Sequence, residues 1–447
     1  MNFSGKKITV AGLARSGVGA ANLLVRLGAD VTVTDLKSED ELSGQLLKLD
    51  PKVKKVLGSH PDGLFELADL IVISPGIPLS APPFKKAADA KVPIIGELEI
   101  AYLYSDSPFI AITGTNGKST TTTLVGEILA AAGMKVTVGG NLGNALTEEP
   151  DSLRGRDYIV AEVSSFQLET IDKFRPKLSA LLNVTQDHLD RYRDMDDYAK
   201  AKARVYKNQT LKDYLIVNAD DAPSVHLAEK AMCRIIPFSR KNAPAGGVFV
   251  RDGEVVSALS GVDEKIIEAK DIRIRGVHNL ENALAAAAVS LAAGASIKAV
   301  EKVLREFPGL EHRLEFVREL NGVSYINDSK GTNVGAVEKS LESFTEPVVL
   351  LAGGLDKHSD FSPLKKLVRE RVKRLVLFGK AAEVMCEAIG GETDTVRAES
   401  LKDAVLKAKD AASKGDVVLL SPACASFDMF KDFEDRGRQF KEIVRKL

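Results

Sequence analysis

The chain has 447 residues, too many for one ordinary domain, so two to four are expected. A composition of 45% hydrophobic and 28% charged residues excludes an intrinsically disordered chain. With 61 basic against 62 acidic residues the net charge is −1, which excludes bulk attraction to nucleic acid or to an anionic membrane.

Short apolar, often β-branched runs alternate with helical patterns, which predicts parallel sheets covered by helices, an α/β fold. The opening MNFSGKKITVAG holds no apolar segment of signal length, and the three cysteines, Cys233, Cys386 and Cys424, stand in no metal-binding spacing. A reducing, cytoplasmic setting is expected from both. KKITVAG predicts a strand, Val18 to Leu27 a helix, DVTVTD a second strand and ADLIVISPGIP a later one. After the polar connection YLYSDSP a new block opens with the strand FIAIT. The strands DYIVAEVSS and KLSALLNVTQDH follow, then an irregular segment around 235–275 whose Gly-Gly and Asp-Gly turns predict a small antiparallel addition. The alanine-rich run Ala283 to Ala295 is too short to span a bilayer and reads as a buried helix. EFPGLEH is the second linker, and VSYIND, PVVLLAGG, RLVLFGK and DVVLLSPA are the strands of the last block. Three domains result, 1–98, 99–309 and 310–447. Ligands are to be sought at the carboxyl ends of these strands.

The stretch AITGTNGKSTTTT, residues 111–123, nearly fits the phosphate-loop rule G-x-x-x-x-G-K-[ST]. Gly117, Lys118 and Ser119 fit, but Ile112 stands where the first glycine belongs. The nearest glycine is Gly114, so the loop is two residues short. A buried-type strand before it and a helix-compatible run after it still favour phosphate binding: amides at the helix start hold phosphate oxygens, Lys118 neutralises them and Ser119 reaches Mg²⁺. Glu162 ends a strand, where it is either a carboxylate for that Mg²⁺ or an ordinary acid at a helix N-cap. His188 lies just past another strand end beside Asp187. In VAGLARSG, Gly12, Ala14 and Gly17, with Asp35 beyond, imitate a dinucleotide fingerprint, but Ala14 replaces the glycine that admits a pyrophosphate. In HNLENALAAAA, Asn279 and Asn282 share one helical face; the choice is between capping by Asn279 and amide recognition of a base. SYINDSKGTN is too polar for a simple turn.

Together these motifs resemble the Mur ligase family, the ATP-dependent amino-acid ligases of peptidoglycan precursor synthesis, whose short phosphate loop reads GTNGKS. GGNLG, AEVSSFQLE, NVTQDHLDRY, HRLE, GGLDK and LLSPACASFDMFKDFEDRG carry the likeness from the first strand to the C-terminus. The resemblance implies a Rossmann-like first domain for a UDP precursor, a central P-loop ATPase-type domain and a Rossmann-like third domain for the incoming amino acid. It implies addition of D-glutamate to UDP-N-acetylmuramoyl-L-alanine through an acyl phosphate, with release of ADP and phosphate. ATP is to be held by Gly114, Thr115, Asn116, Gly117, Lys118, Ser119 and Thr120, with Asn279, Asn282, Arg313, Asp328 and Lys330 around the base, ribose and phosphates. Two Mg²⁺ ions are implied, on Ser119 and Glu162 and on His188 and Lys202, the last as a carbamate derived from CO₂. Lys118, Glu162, His188 and Lys202 are the catalytic set. Ser16, Asp35 and Gly76 match the UDP pocket; Asn141, Ser164 and Gln167 match contacts to the muramoyl end, with His188 also among the substrate-binding residues; Thr332, Lys357, Ser426 and Phe433 match the D-glutamate site. No nucleic acid or membrane partner is expected, and a monomer is. A nicotinamide-dependent dehydrogenase built on GLARSG would leave Lys118, Glu162 and His188 unexplained; a sister or folylpolyglutamate-type ligase is disfavoured by SSFQLE and SPACASFDMF.

Overall fold

The computed structural model describes residues 2–188, 191–274, 276–356 and 359–447. Three sheets follow one another along the chain. The first contains β1 (Lys7–Ala11), β2 (Asp30–Asp35), β3 (Lys54–Leu57), β4 (Leu70–Ile73) and β5 (Ile94–Gly96), ordered 3-2-1-4-5 and parallel throughout. The chain leaves β1 toward one edge and returns to the other, so the turn after β1 is the switch point of this sheet.

The second sheet contains β6 (Phe109–Thr113), β7 (Val136–Gly140), β8 (Tyr158–Glu162), β9 (Leu178–Leu181), β10 (Tyr214–Asn218), β11 (Arg234–Ser239), β12 (Val248–Arg251), β13 (Glu254–Ser257) and β14 (Glu264–Glu268). Its order is 14-13-12-11-10-9-6-8-7. The strands from β7 to β12 pair in parallel, and only β12–β13–β14 are antiparallel. The antiparallel addition therefore begins after β11 and extends the same sheet. Apolar clusters cover both faces, as a parallel sheet requires. On one face the helices Lys118–Ala131 and Val277–Ala292 pack together. Residues 283–288 of the second helix are wholly buried, and all but Leu284 are alanines, whose small side chains let the two backbones come close.

The third sheet contains β15 (Glu315–Leu320), β16 (Val323–Asn327), β17 (Val348–Gly353), β18 (Val372–Phe378), β19 (Asp394–Arg397) and β20 (Val417–Ala423), ordered 15-16-20-17-18-19. β15 alone is antiparallel to its neighbour. Among the described residues no helix is long and apolar enough to cross a membrane.

Candidate functional site

β6 is the switch-point strand of the second sheet, with β8 on one side and β9 on the other. The phosphate-loop stretch follows it and ends in the helix Lys118–Ala131. Gly117 precedes that helix with φ +84°, and a Cβ there would lie 2.2 Å from Asn282 Oδ1, so only glycine fits. No side chain caps this helix, which leaves its first amides available to an anion. The loop is braced from the β9 end. Asn183 accepts from Asn116 N through Oδ1 (2.8 Å) and donates to Asn116 O through Nδ2 (3.1 Å), while Thr115 Oγ1 donates to Thr185 O at 3.1 Å.

Two lysines converge on this loop. Lys118 Nζ donates to the Gly114 and Thr115 carbonyls, and Lys202 Nζ also donates to Gly114 O. Lys202 is 1% exposed and lies over the Tyr198 ring, 4.5 Å from its centroid. Burial pushes both ammonium groups down; Lys118 adds to the fall at Lys202, while Glu162 and Asp187 oppose it at both. Lys200, two residues earlier on the same helix, is exposed and paired with Asp196.

Glu162 ends β8 and is 2% exposed. Its Oε1 accepts from Asn141 Nδ2 at 2.8 Å, while Oε2 is buried with no hydrogen-bond partner among the described residues. The following helix is capped by Ser164, so Glu162 is not an N-cap acid. A buried carboxylate oxygen with a spare lone pair, beside a hydroxyl-bearing phosphate loop, fits a hard cation such as Mg²⁺. His188 has φ +56°, a constrained backbone for a non-glycine residue, and its N–H donates to Asp187 Oδ1. Its ring meets Phe166 edge-on at 4.7 Å.

A cavity of about 180 Å³ opens beside the loop, lined among others by Asn116, Thr120, Asn279, Asn282, Arg313 and Lys330. Arg313 Nη2 donates to Ser119 Oγ at 2.9 Å, bringing the segment before β15 onto the phosphate loop. His312 (φ +65°) and Leu314 (φ +42°) flank it in left-handed conformations, which costs about 1–2 kcal/mol at each. Asn327 on the His312 ring (2.9 Å) and Asp328 Oδ1 on Leu314 N (3.3 Å) hold that turn. Asp328 is pushed up to about 6 by burial, although the Ser340 and Ser421 hydroxyls donate to its Oδ2. Lys330 is pushed down to about 8 by burial and lies 3.6 Å from the Phe433 ring centroid.

Several expected residues take local partners. The helix Val277–Ala292 starts at Gly276, so Asn279 does not cap it. Asn282 donates to Asn279 Oδ1 at 3.1 Å and accepts from Thr121 Oγ1 at 3.3 Å, so its amide braces the phosphate loop. Ser164 and Gln167 form a capping box, each bonding the other's backbone amide. Asp35 accepts from the Leu13 and Lys37 amides, and with Ser16 and Gly76 it stands where the carboxyl ends of β1, β2 and β4 meet solvent. Gly17 belongs to the helix–strand contact there: a Cβ on it would lie 1.9 Å from Gly12 O. Thr332 borders a second cavity, of about 90 Å³, together with Asp187 and His188. Ser426 is buried in the turn after β20, and Lys357 lies outside the described residues.

Three family models match in order: "Mur ligase MurD-like, N-terminal domain" over 6–96, "Mur ligase middle domain" over 112–290, and "Mur ligase, glutamate ligase domain" over 312–424. The chain is 48% identical over 448 residues to the UDP-N-acetylmuramoylalanine–D-glutamate ligase of Geotalea uraniireducens, covering 100% of this chain and 99% of that one. It is 47% identical to the ligase of the same name from Pelotomaculum thermopropionicum, with the same coverage. The chain belongs to the Mur ligase family. Solved structures show the shared fold at lower identity. A pseudomurein peptide ligase type C from Methanothermus fervidus aligns over 99% of both chains, with TM-score 0.65 and 19% identity. The UDP-N-acetylmuramate-alanine ligase of Thermotoga maritima does so with TM-score 0.61 and 20% identity.

In this Mur ligase three residues that shape the loop, Asn183, Thr185 and Tyr198, carry no motif of their own in the sequence, and a fourth, Asn333, shows there only as part of the polar turn SYINDSKGTN. Tyr198 donates to Thr115 Oγ1 at 3.2 Å, and Asn333 reaches both Asn116 and Asp187. The signal available was position: each lies at a strand end or a helix start facing the loop.

Proposed function

We propose that this chain joins D-glutamate to UDP-N-acetylmuramoyl-L-alanine and converts ATP to ADP and phosphate, in peptidoglycan precursor synthesis. The observation that carries the reading is the setting of the phosphate loop, where Lys118, the half-satisfied Glu162 carboxylate and Arg313 converge. Full-length similarity to D-glutamate ligases supports the choice of amino acid.

A carboxylate and an amine do not condense in water, so the L-alanyl carboxylate is activated first. Its oxygen attacks the γ-phosphorus of ATP, ADP leaves, and an acyl phosphate forms. The amine of D-glutamate then attacks the acyl carbon, phosphate departs with the C–O electron pair, and the amine proton passes to a nearby carboxylate, for which Asp187 beside His188 is in place. Lys118 turns from the Gly114 and Thr115 carbonyls to the phosphate oxygens, and Arg313 adds a second cation. Magnesium, when bound, offsets the repulsion between the attacking carboxylate and the phosphates. Ser119 and Glu162 would hold one ion, His188 and Lys202 a second.

For Lys202 that role needs a carbamate: the neutral amine adds CO₂ and releases a proton, becoming an anionic oxygen ligand. Its burial against a second lysine favours the neutral amine. Residues 1–98 are assigned to the UDP precursor through Ser16, Asp35 and Gly76, 99–309 to ATP, and 310–447 to D-glutamate through Thr332, Lys357, Ser426 and Phe433. Asn141, Ser164 and Gln167 are assigned to the muramoyl end, and the protein is taken to act as a cytoplasmic monomer. The test is ADP release with each substrate omitted in turn. Release that needs both precursor and D-glutamate supports the assignment; equal release without D-glutamate contradicts it.

A further inference from the structure

Asn333 ends the polar turn that follows β16 and caps the helix Val334–Glu342, with Oδ1 accepting from Ala336 N at 2.8 Å. That bond fixes which way the amide faces, so Nδ2 is turned outward. It stands 3.3 Å from Asn116 Oδ1 and 3.2 Å from Asp187 Oδ2. Asn116 belongs to the phosphate loop after β6, and Asp187 precedes His188 beyond β9. Asn333 belongs to the segment that carries the third sheet. The start of its helix lies close to the same wall: a Cβ on Gly335 would come within 3.3 Å of Thr185 Oγ1.

We infer that Asn333 is a positioning residue that latches the third domain onto the phosphate loop. One amide performs two separable tasks. Its oxygen holds the helix start, and its N–H₂ group satisfies two acceptors across the domain boundary. Thr332 is the adjacent residue, so the latch ties the seating of the amino-acid side of the cleft to the loop that holds ATP. For its kinetic readout the inference rests on the ligase assignment; its structural readout does not.

Aspartate separates the two tasks. Asp and Asn are comparable N-caps, so Asn333→Asp keeps the bond to Ala336 N. It also puts a negative oxygen, in place of the donor, against the Asp187 carboxylate. Asn333→Ala loses both tasks without adding repulsion. The latch therefore predicts opposite rankings. Asn333→Asp should melt near the wild-type temperature, yet lose roughly a hundredfold in kcat/KM for D-glutamate at saturating ATP and precursor. Asn333→Ala should melt lower and lose only about tenfold, the scale of one net hydrogen bond to a charged group. Small-angle scattering of the three proteins supplies the second readout, with Asn333→Asp having the largest radius of gyration. Activity that follows melting temperature, with Asn333→Asp matching wild type in rate and compactness, would make Asn333 a helix cap only and overturn the inference. If the wild-type protein shows no ligation at all, the ligase assignment fails. Scattering then decides the latch: an expanded Asn333→Asp supports it and an unchanged one overturns it.

Discussion

Lys118 and Lys202 donate to one and the same carbonyl oxygen, that of Gly114, at 3.0 and 2.8 Å. Two like charges at this separation inside a protein repel, and a single carbonyl dipole offsets only part of that. The arrangement suits one cation that turns to phosphate and one amine that is neutral or modified.

Lys202→Ala is expected to reduce ligation at least a thousandfold, about 4 kcal/mol of lost stabilisation, with partial recovery when small carboxylic acids are added. Lys202→Arg should stay inactive, because arginine cannot take up CO₂ and leaves a fixed cation. Lys200→Ala should be near wild type, since its pair with Asp196 is exposed to solvent, which screens it to little net effect. Steady-state rates of the three variants check this, and an active Lys202→Arg contradicts it.

Glu162→Gln keeps an oxygen for the Asn141 amide but removes the charge at the buried Oε2 position. The expected result is a Mg²⁺ requirement raised roughly tenfold or more with little change in melting temperature. Magnesium titrations of the initial rate measure it; an unchanged half-saturating concentration would remove Glu162 from the metal site.

Gly117→Ala should nearly abolish binding of a non-hydrolysable ATP analogue, because the new Cβ meets Asn282 Oδ1 at 2.2 Å and φ +84° is strained for alanine. Isothermal titration reads the effect. Near-normal affinity would mean that the loop relaxes at small cost.

Asp328 gives a pH dependence whose sign follows from its raised value. An acid held at about 6 in the folded protein, against an ordinary value near 3.9, binds its proton more tightly when folded. Its contribution is fully present below about pH 4 and is lost as the pH rises to about 6. Denaturant melts should show wild-type stability falling across that window relative to Asp328→Asn, by on the order of 1–3 kcal/mol. Parallel curves for the two proteins would contradict the shift.

The main strands and the phosphate loop were legible because buried parallel strands are continuous apolar runs, and each here runs into a glycine or polar turn. Edge strands were not. β15, with the sequence EFVREL, is charged and part-exposed on one side of the third sheet, so it carries no apolar run to read. At the site, Lys118 and Ser119 were legible as candidates from the phosphate-loop spacing, and Glu162 and His188 from their places at or just past strand ends. The uses of Asn282 and of the Ser164–Gln167 pair were not, because an amide's partner depends on tertiary packing. S-x-x-Q is a capping-box spacing, and it could have been read as one. Asn333 was visible only as part of a polar turn; its latch needs two segments more than 140 residues apart to meet.

In the proposed route, activation of the carboxylate by ATP precedes attack by the amine. The most direct measurement uses precursor labelled with ¹⁸O in the L-alanyl carboxylate, with ATP, Mg²⁺ and D-glutamate, followed by mass analysis of the released phosphate. The acyl-phosphate route predicts that each phosphate released carries a single ¹⁸O from the carboxylate. Ligated product accompanied by unlabelled phosphate would contradict it.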